Sequence, residues 1–300
     1  MTGPALVTGG AGFAGRHLLE RLRALGWEAD APDREQLDLL DAAAVRVWVR
    51  RVHPGCVFHL AALASVASSW RAPVETLTSN VAMTANLLEA VRSECPGAAV
   101  LVAGSGEVYG PPDRLPVGED APLRPQNPYA VSKAACDLLA GQYADAHGLR
   151  VVRTRAFNHA GPGQSDEYVV GTLTRQVAEA ELAGAGSVVL RTGNVESARD
   201  FTDVTDVVRA YASAAELEPG AYNVCSGRSV AVSELIELVR ACARIEVRHE
   251  VDPARVREHD VREIRGSAGR LRDACGWRPE IPLERTVADA LDAWRERLAN

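Results

Sequence analysis

The chain has 300 residues, 47% of them apolar and 24% charged, a make-up that excludes disordered, collagenous and low-complexity classes. Asp and Glu number 40 against 33 Lys and Arg, and the resulting net charge of −7 speaks against a nucleic-acid or anionic-membrane surface. No apolar run approaches the roughly 18–20 residues of a membrane span, and the first residues lack the basic stretch of a secretory leader, so a cytoplasmic location is expected.

Ala5-Leu6-Val7 reads as a buried strand that runs straight into a glycine-rich turn. A helix is predicted over 13–25, with Leu18, Leu19, Leu22 and Leu25 on one face and Gly26 as its stop. A weak strand near 28–32 follows from the rhythm alone. Clear strands come at 56–60, 99–103 and 151–157, with helices at 74–93 and 129–146 between them. This alternation predicts an α/β fold built on a doubly wound parallel Rossmann sheet. Beyond Asn158 the rhythm changes. Gly161-Pro162-Gly163 leads to a helix near 167–182, a strand at 188–190, a helix at 204–217, a strand at 222–225, and helices near 232–244 and 283–298. The expected division is a nucleotide-binding domain over 1–157, to which 203–225 returns, and a smaller, discontinuous substrate lobe from 158–202 and 226–300.

Six cysteines lie at least 17 residues apart, with no Cys-x-x-Cys pair and no Cys/His ligand pattern. Reduced thiols are expected, and no metal site.

Three sets of residues carry chemistry. Gly10-x-Gly12-x-x-Gly15, overlapping Gly9-x-x-Gly12-x-x-Gly15, sits between the first strand and the first helix. There glycine permits a tight turn and brings amide groups at a helix N-terminus close to a pyrophosphate. Asp33, 18 residues after Gly15, is placed for ribose hydroxyls, and Arg34 for a 2′-phosphate, so both NAD and NADP stay open. Tyr129 and Lys133, four apart, share one helical face. Of the 33 basic residues Lys133 is the single lysine, in a chain that uses arginine at the other 32 positions. A neighbouring ammonium is expected to draw the phenol down from its ordinary pKa of about 10. Ser105, in Gly104-Ser105-Gly106-Glu107, follows the 99–103 strand where ligands bind in such sheets and can donate to a carbonyl oxygen. Glu107 is either a site carboxylate or a solvated turn residue.

Together these residues resemble the extended short-chain dehydrogenase/reductases that act on nucleotide sugars. The likeness continues through Asp38-Leu39, His59-Leu60-Ala61-Ala62, Pro128 to Lys133, Arg155 to Gln164, Arg199 to Val204 and Gly276-Trp277-Arg278-Pro279, essentially the whole chain. It implies NADP or NAD held by Gly9, Gly12, Phe13, Ala14, Gly15, Asp33 and Arg34. Asp38 and Leu39 fall on the adenine side, Leu60, Ala61 and Ala62 against the cofactor, and Tyr129 and Lys133 at the nicotinamide end. Ser105, Tyr129, Lys133 and Glu107 are the implied catalytic set. Ser105, Glu107, Asn158, Arg199 and Arg257 are the implied substrate contacts. The implied activity is reduction of a 4-keto-6-deoxy nucleotide sugar, with GDP as the expected nucleotide, 4-epimerisation on tightly bound NAD as the alternative and a non-catalytic dinucleotide sensor as a remote one. Dehydratase relatives have Thr-(Asp or Ser)-Glu where this chain has Ser105-Gly106-Glu107, so 4,6-dehydration is an alternative ranked below epimerisation. A homodimer through the 74–93 and 129–146 helices is implied too.

Overall fold

The computed structural model describes residues 3–214, 216–255 and 261–299. In its first half, strands β1 (Ala5–Thr8), β2 (Ala29–Asp30), β3 (Cys56–His59), β4 (Ala99–Ser105) and β5 (Arg150–Ala156) alternate with helices α1 (Phe13–Ala24), α2 (Ala42–Val52), α3 (Val66–Arg71), α4 (Pro73–Glu94) and α5 (Pro128–His147). The second half runs β6 (Asn158–Ala160), α6 (Val169–Leu182), β7 (Ser187–Thr192), β8 (Ala198–Asp203), α7 (Val204–Ala214), β9 (Gly220–Val224), β10 (Ser229–Ala231), α8 (Val232–Cys242), β11 (Glu246–Val251), β12 (Glu263–Ile264), α9 (Gly269–Cys275) and α10 (Leu283–Ala299).

Six parallel strands form the main sheet in the order β2-β1-β3-β4-β5-β9. Its strands are apolar on both faces, as a sheet covered by two helical layers requires. Alternate residues supply two cores. Ala5, Val7, Phe58 and Leu101 pack with Leu18 and Leu22 of α1 and with Val204, Val207 and Val208 of α7. Leu6, Val57, Val100 and Val102 pack with Val45, Val49, Leu87, Val91 and Ala140 of α2, α4 and α5.

Sequence reasoning assigns no element to 42–52, where Val45-Arg46-Val47-Trp48-Val49-Arg50 alternates as a strand does. A helix forms because Asp41 caps the Ala43 and Ala44 amides, and Val45 and Val49, one turn apart, enter the core.

The smaller lobe is organised around β8, which pairs with β6, β10 and β12. A β7–β11 pair and helices α6, α8 and α10 share its core. Residues 269–277, expected in this lobe with the rest of 226–300, pack on the first lobe instead. Leu271 and Trp277 are buried beside Val204 and Val224, and Trp277 Nε1 donates to Asp206 O at 3.1 Å.

The chain moves from β1 outward to β2, then returns to place β3 on the other side of β1. This reversal opens a crevice at the carboxyl ends of β1 and β3. The glycine turn and Leu60-Ala61-Ala62 border that crevice, and Ser105 ends the next strand along.

Candidate active site

The glycine turn is shaped by what cannot be there. A Cβ on Gly15 would stand 2.1 Å from Gly9 O, and one on Gly9, whose φ is +76°, would stand 2.7 Å from Ala61 N. The turn therefore lies directly on the Leu60–Ala62 segment, whose three residues are half-buried. Gly12 begins α1 without a side-chain cap and with no acidic residue in the first turn. The amides of Phe13, Ala14 and Gly15 thus form a donor set that suits a pyrophosphate. This is the fit a dinucleotide cofactor needs.

Asp33 is exposed and fixed by a reciprocal pair: its Oδ1 accepts Gln36 N at 2.9 Å, and its own amide donates to Gln36 Oε1 at 3.0 Å. Arg34 beside it is exposed. Asp38 Oδ1 accepts Leu40 N at 2.9 Å. The Leu39 side chain is a core residue among Val45 and Val49, and its carbonyl accepts Asn86 Nδ2, so a cofactor would meet backbone there.

On the catalytic side, Asn127 caps α5 by accepting Ala130 N at 2.8 Å, and Pro128 pre-sets the first turn. The same Asn127 donates Nδ2 to Glu107 Oε2 at 3.2 Å, tying Glu107 to the start of the helix. Ser105 Oγ accepts Glu107 N at 3.2 Å and is a close neighbour of the Tyr129 phenol. Lys133 is buried and donates Nζ to Ala103 O at 2.7 Å. The structure therefore brings Ser105, Glu107, Tyr129 and Lys133 together at the end of β4.

The electrostatics correct one expectation. Burial pushes the Tyr129 phenol above its ordinary pKa; the nearby Ser105 hydroxyl pulls against this, and Tyr168, Glu107 and Tyr211 push with it. Lys133 does not draw the phenol down in the protein alone, because its ammonium is itself desolvated, which lowers its own pKa, and is turned to the Ala103 carbonyl.

Sequence reasoning missed three residues around this set. His59 is held between Thr8 Oγ1, 2.8 Å from Nδ1, and Thr84 Oγ1, 3.1 Å from Nε2. Burial, aided by Lys133, lowers its pKa to about 3, so it is neutral. Asn80 joins the backbone of Leu63 to Ser132 Oγ and so fixes the segment after β3 to α5. Tyr168, the N-cap residue of α6, reaches the electrostatic surroundings of Tyr129 from the smaller lobe. The His59-Leu60-Ala61-Ala62 stretch was a signal for the first; burial, which local pattern does not encode, decides the others.

Gly106 has a steric reason. A Cβ there would come within 3.0 Å of the Phe157 ring, which also covers Gly266. Asn158, directly after Phe157, is half-buried and opens β6 beside Phe201 of β8. Arg199 sits on β8 and donates Nη1 to Ala198 O and, at 2.7 Å, to Val261 O. Arg257 lies outside the described residues.

A parallel doubly wound sheet, a glycine turn at its crevice and a Ser–Tyr–Lys set at the end of β4 define an extended short-chain dehydrogenase/reductase. The model of the family described as GDP-mannose 4,6 dehydratase matches residues 30–290, and the chain belongs to that family. It is 39% identical to GDP-6-deoxy-D-mannose reductase of Pseudomonas aeruginosa, over 99% of each chain. It is 30% identical to UDP-glucose 4-epimerase of Mycolicibacterium smegmatis over 97% of this chain and 98% of that protein. Among solved structures, RMD from Pseudomonas aeruginosa complexed with NADPH superposes with a TM-score of 0.89 at 36% identity, covering 99% of this chain and 100% of the other. Among the described residues, no helix is long and apolar enough to cross a membrane.

Proposed function

We propose that the chain reduces the 4-keto group of a GDP-linked 4-keto-6-deoxy hexose, GDP-4-keto-6-deoxy-D-mannose to GDP-D-rhamnose, with NADPH. The observation that carries this reading is the convergence of Ser105, Tyr129 and the single lysine at the carboxyl edge of the sheet, where Ser105 ends β4 beside Tyr129 and Lys133 Nζ reaches Ala103 O at 2.7 Å. The full-length likeness to GDP-6-deoxy-D-mannose reductase supports the choice of substrate.

The nicotinamide, when bound, supplies the hydride. The chain's own residues handle the oxygen and its proton. Ser105 Oγ already accepts the Glu107 amide, which leaves its hydroxyl proton for the sugar's 4-oxygen. Tyr129 donates a second hydrogen bond to that oxygen and releases its proton as negative charge builds there. A phenol held above its ordinary pKa is protonated at neutral pH, as a proton donor must be. Lys133 holds the nicotinamide ribose and stabilises the phenolate that remains. Glu107, fixed by Asn127, orients a sugar hydroxyl. Asn158, Arg199 and Arg257 are assigned to the substrate by motif position.

The first-turn amides of Phe13, Ala14 and Gly15 take the cofactor pyrophosphate at Gly9 and Gly12. Asp33 takes the adenosine ribose, and exposed Arg34 takes the 2′-phosphate of NADPH. Asp38 and Leu39 flank the adenine, and Leu60, Ala61 and Ala62 back the cofactor. We assign the enzyme to the cytoplasm, consistent with free cysteines of which four are buried. It pairs as a homodimer through the outer faces of α4 and α5, where Val74, Leu77, Val131 and Leu138 are exposed.

The test is a panel of 4-keto-6-deoxy sugar nucleotides assayed with NADPH and NADH. The reading expects one NADPH consumed per GDP-linked sugar. Conversion without net consumption of added cofactor, with NAD retained on the purified protein, would establish the epimerase instead.

A further inference from the structure

Helix α5 meets the main sheet at two successive turns. At the first, Lys133 Nζ donates to Ala103 O of β4 at 2.7 Å. At the next, four residues on, Asp137 meets Arg155 of β5 in a two-pronged ion pair: Nε to Oδ2 at 2.9 Å and Nη2 to Oδ1 at 3.0 Å. The side chains are 1% and 7% exposed. Tyr129, Lys133 and Asp137, spaced four and four, share one helical face.

Arg155 reaches further. Its Nη1 donates to Tyr109 Oη and to Glu119 O, both at 2.9 Å, and Tyr109 Oη donates to Asn223 Oδ1 at 2.7 Å. Tyr109 ends the short 3-10 turn that begins at Gly106 and carries Glu107. Arg155 is level with Gly104 on β4 and with Asn223 on β9. Gly104 allows the strands to close there, since a Cβ would stand 2.6 Å from Thr154 O. The Arg155 guanidinium thus joins the catalytic helix to the turn that holds Glu107, while its backbone pairs with the strand that ends in Ser105.

A buried ion pair is a weak net stabiliser, because desolvating both charges offsets their attraction. Its planar fork does impose a distance and a rotation. We infer that Asp137 and Arg155 are positioning residues: they fix the height and rotation of α5 over β4 and β5, and so hold Tyr129 and Lys133 in register with Ser105. The inference rests on the proposed reduction for its kinetic assay, and the register itself does not depend on which sugar is turned over.

The single lysine provides a readout separate from activity. Protein labelled with carbon-13 at lysine gives one side-chain signal, that of Lys133. In Asp137→Asn that signal is expected to move, and kcat to fall roughly 10- to 100-fold with KM for the sugar nucleotide within about threefold, the size of effect a small misplacement produces. The loss persists at a temperature where circular dichroism shows the variant fully folded. A core control, Val49→Ala, that lowers Tm as much moves neither the signal nor kcat. If Asp137→Asn does not fold, Arg155→Lys, which keeps the charge and loses the fork, is read in the same way. A folded variant with the wild-type lysine signal and wild-type kcat overturns the inference. Wild-type protein that leaves NADPH untouched overturns the functional reading instead, and the lysine signal still decides the positioning role.

Discussion

The two halves of the candidate site reach the same edge of the sheet by opposite means. The proposed cofactor cradle is built by leaving side chains out: Gly9 and Gly15 allow backbone to lie on backbone, and the donors offered are amides of α1. The proposed catalytic half is built by burying polar side chains against chosen partners: Lys133 on Ala103 O, Asp137 on Arg155, His59 between two threonines. The first kind of construction is sensitive to added volume, the second to altered hydrogen bonding or charge. The contrast explains why chemistry and binding should separate on mutation.

The largest expected effect is on the side-chain half. Tyr129→Phe removes the proposed proton donor, so turnover should fall by about 10²–10⁴, the range a general acid contributes. Cofactor affinity, measured by fluorescence titration, should change less than threefold. If binding fell together with turnover, the separation of the two halves would be lost. Gly15→Ala attacks the backbone half. Its Cβ cannot coexist with Gly9 O at 2.1 Å, and forcing the turn open should weaken cofactor binding roughly 10- to 100-fold, the equivalent of one overpacked contact. An unchanged dissociation constant would mean that the turn does not carry the pyrophosphate.

Lys133→Arg keeps the charge and changes its shape. The guanidinium cannot take the place of a compact ammonium 2.7 Å from Ala103 O. A loss in kcat of about tenfold is expected, corresponding to one charge-assisted hydrogen bond. An arginine variant with full turnover would remove the reason given for the survival of a single lysine.

The last effect is on stability and leaves turnover at neutral pH aside. His59 has a folded pKa of about 3, against about 6.5 for an unfolded histidine. Between those values the unfolded chain binds a proton that the native protein does not, so stability falls as pH drops, by about 1.4 kcal/mol per pH unit for this one group. Denaturant titrations of wild type and His59→Gln from pH 6.5 to 4.5 should show the shallower pH slope in the variant. Parallel slopes would mean that His59 does not stay neutral.

Much of this was legible in the sequence where a local pattern carries the constraint. The glycine spacing, the apolar strands and the Tyr129/Lys133 pair are local, and each falls where it is expected. The helix Ala42–Val52 was not legible, because its residues alternate in strand fashion and only Asp41 and the buried face decide. The upward shift of Tyr129 was not legible either. Spacing reveals a cation one turn away, but not that burial outweighs it or that the cation faces a carbonyl. Motif position names Arg199 as a substrate contact, but the hold of its Nη1 on the backbone at Ala198 and Val261 was not legible. Partners distant in sequence, such as Asp137 with Arg155, emerge only when the sheet brings them together.

The most direct test of the central claim is a single-turnover experiment. NADPH-loaded wild type and Tyr129→Phe are mixed with GDP-4-keto-6-deoxymannose, and nicotinamide fluorescence is followed. Wild type should lose its signal in one exponential phase matched by reduced sugar, while the phenylalanine variant binds both ligands and keeps its signal. Equal rates in the two proteins would contradict the account.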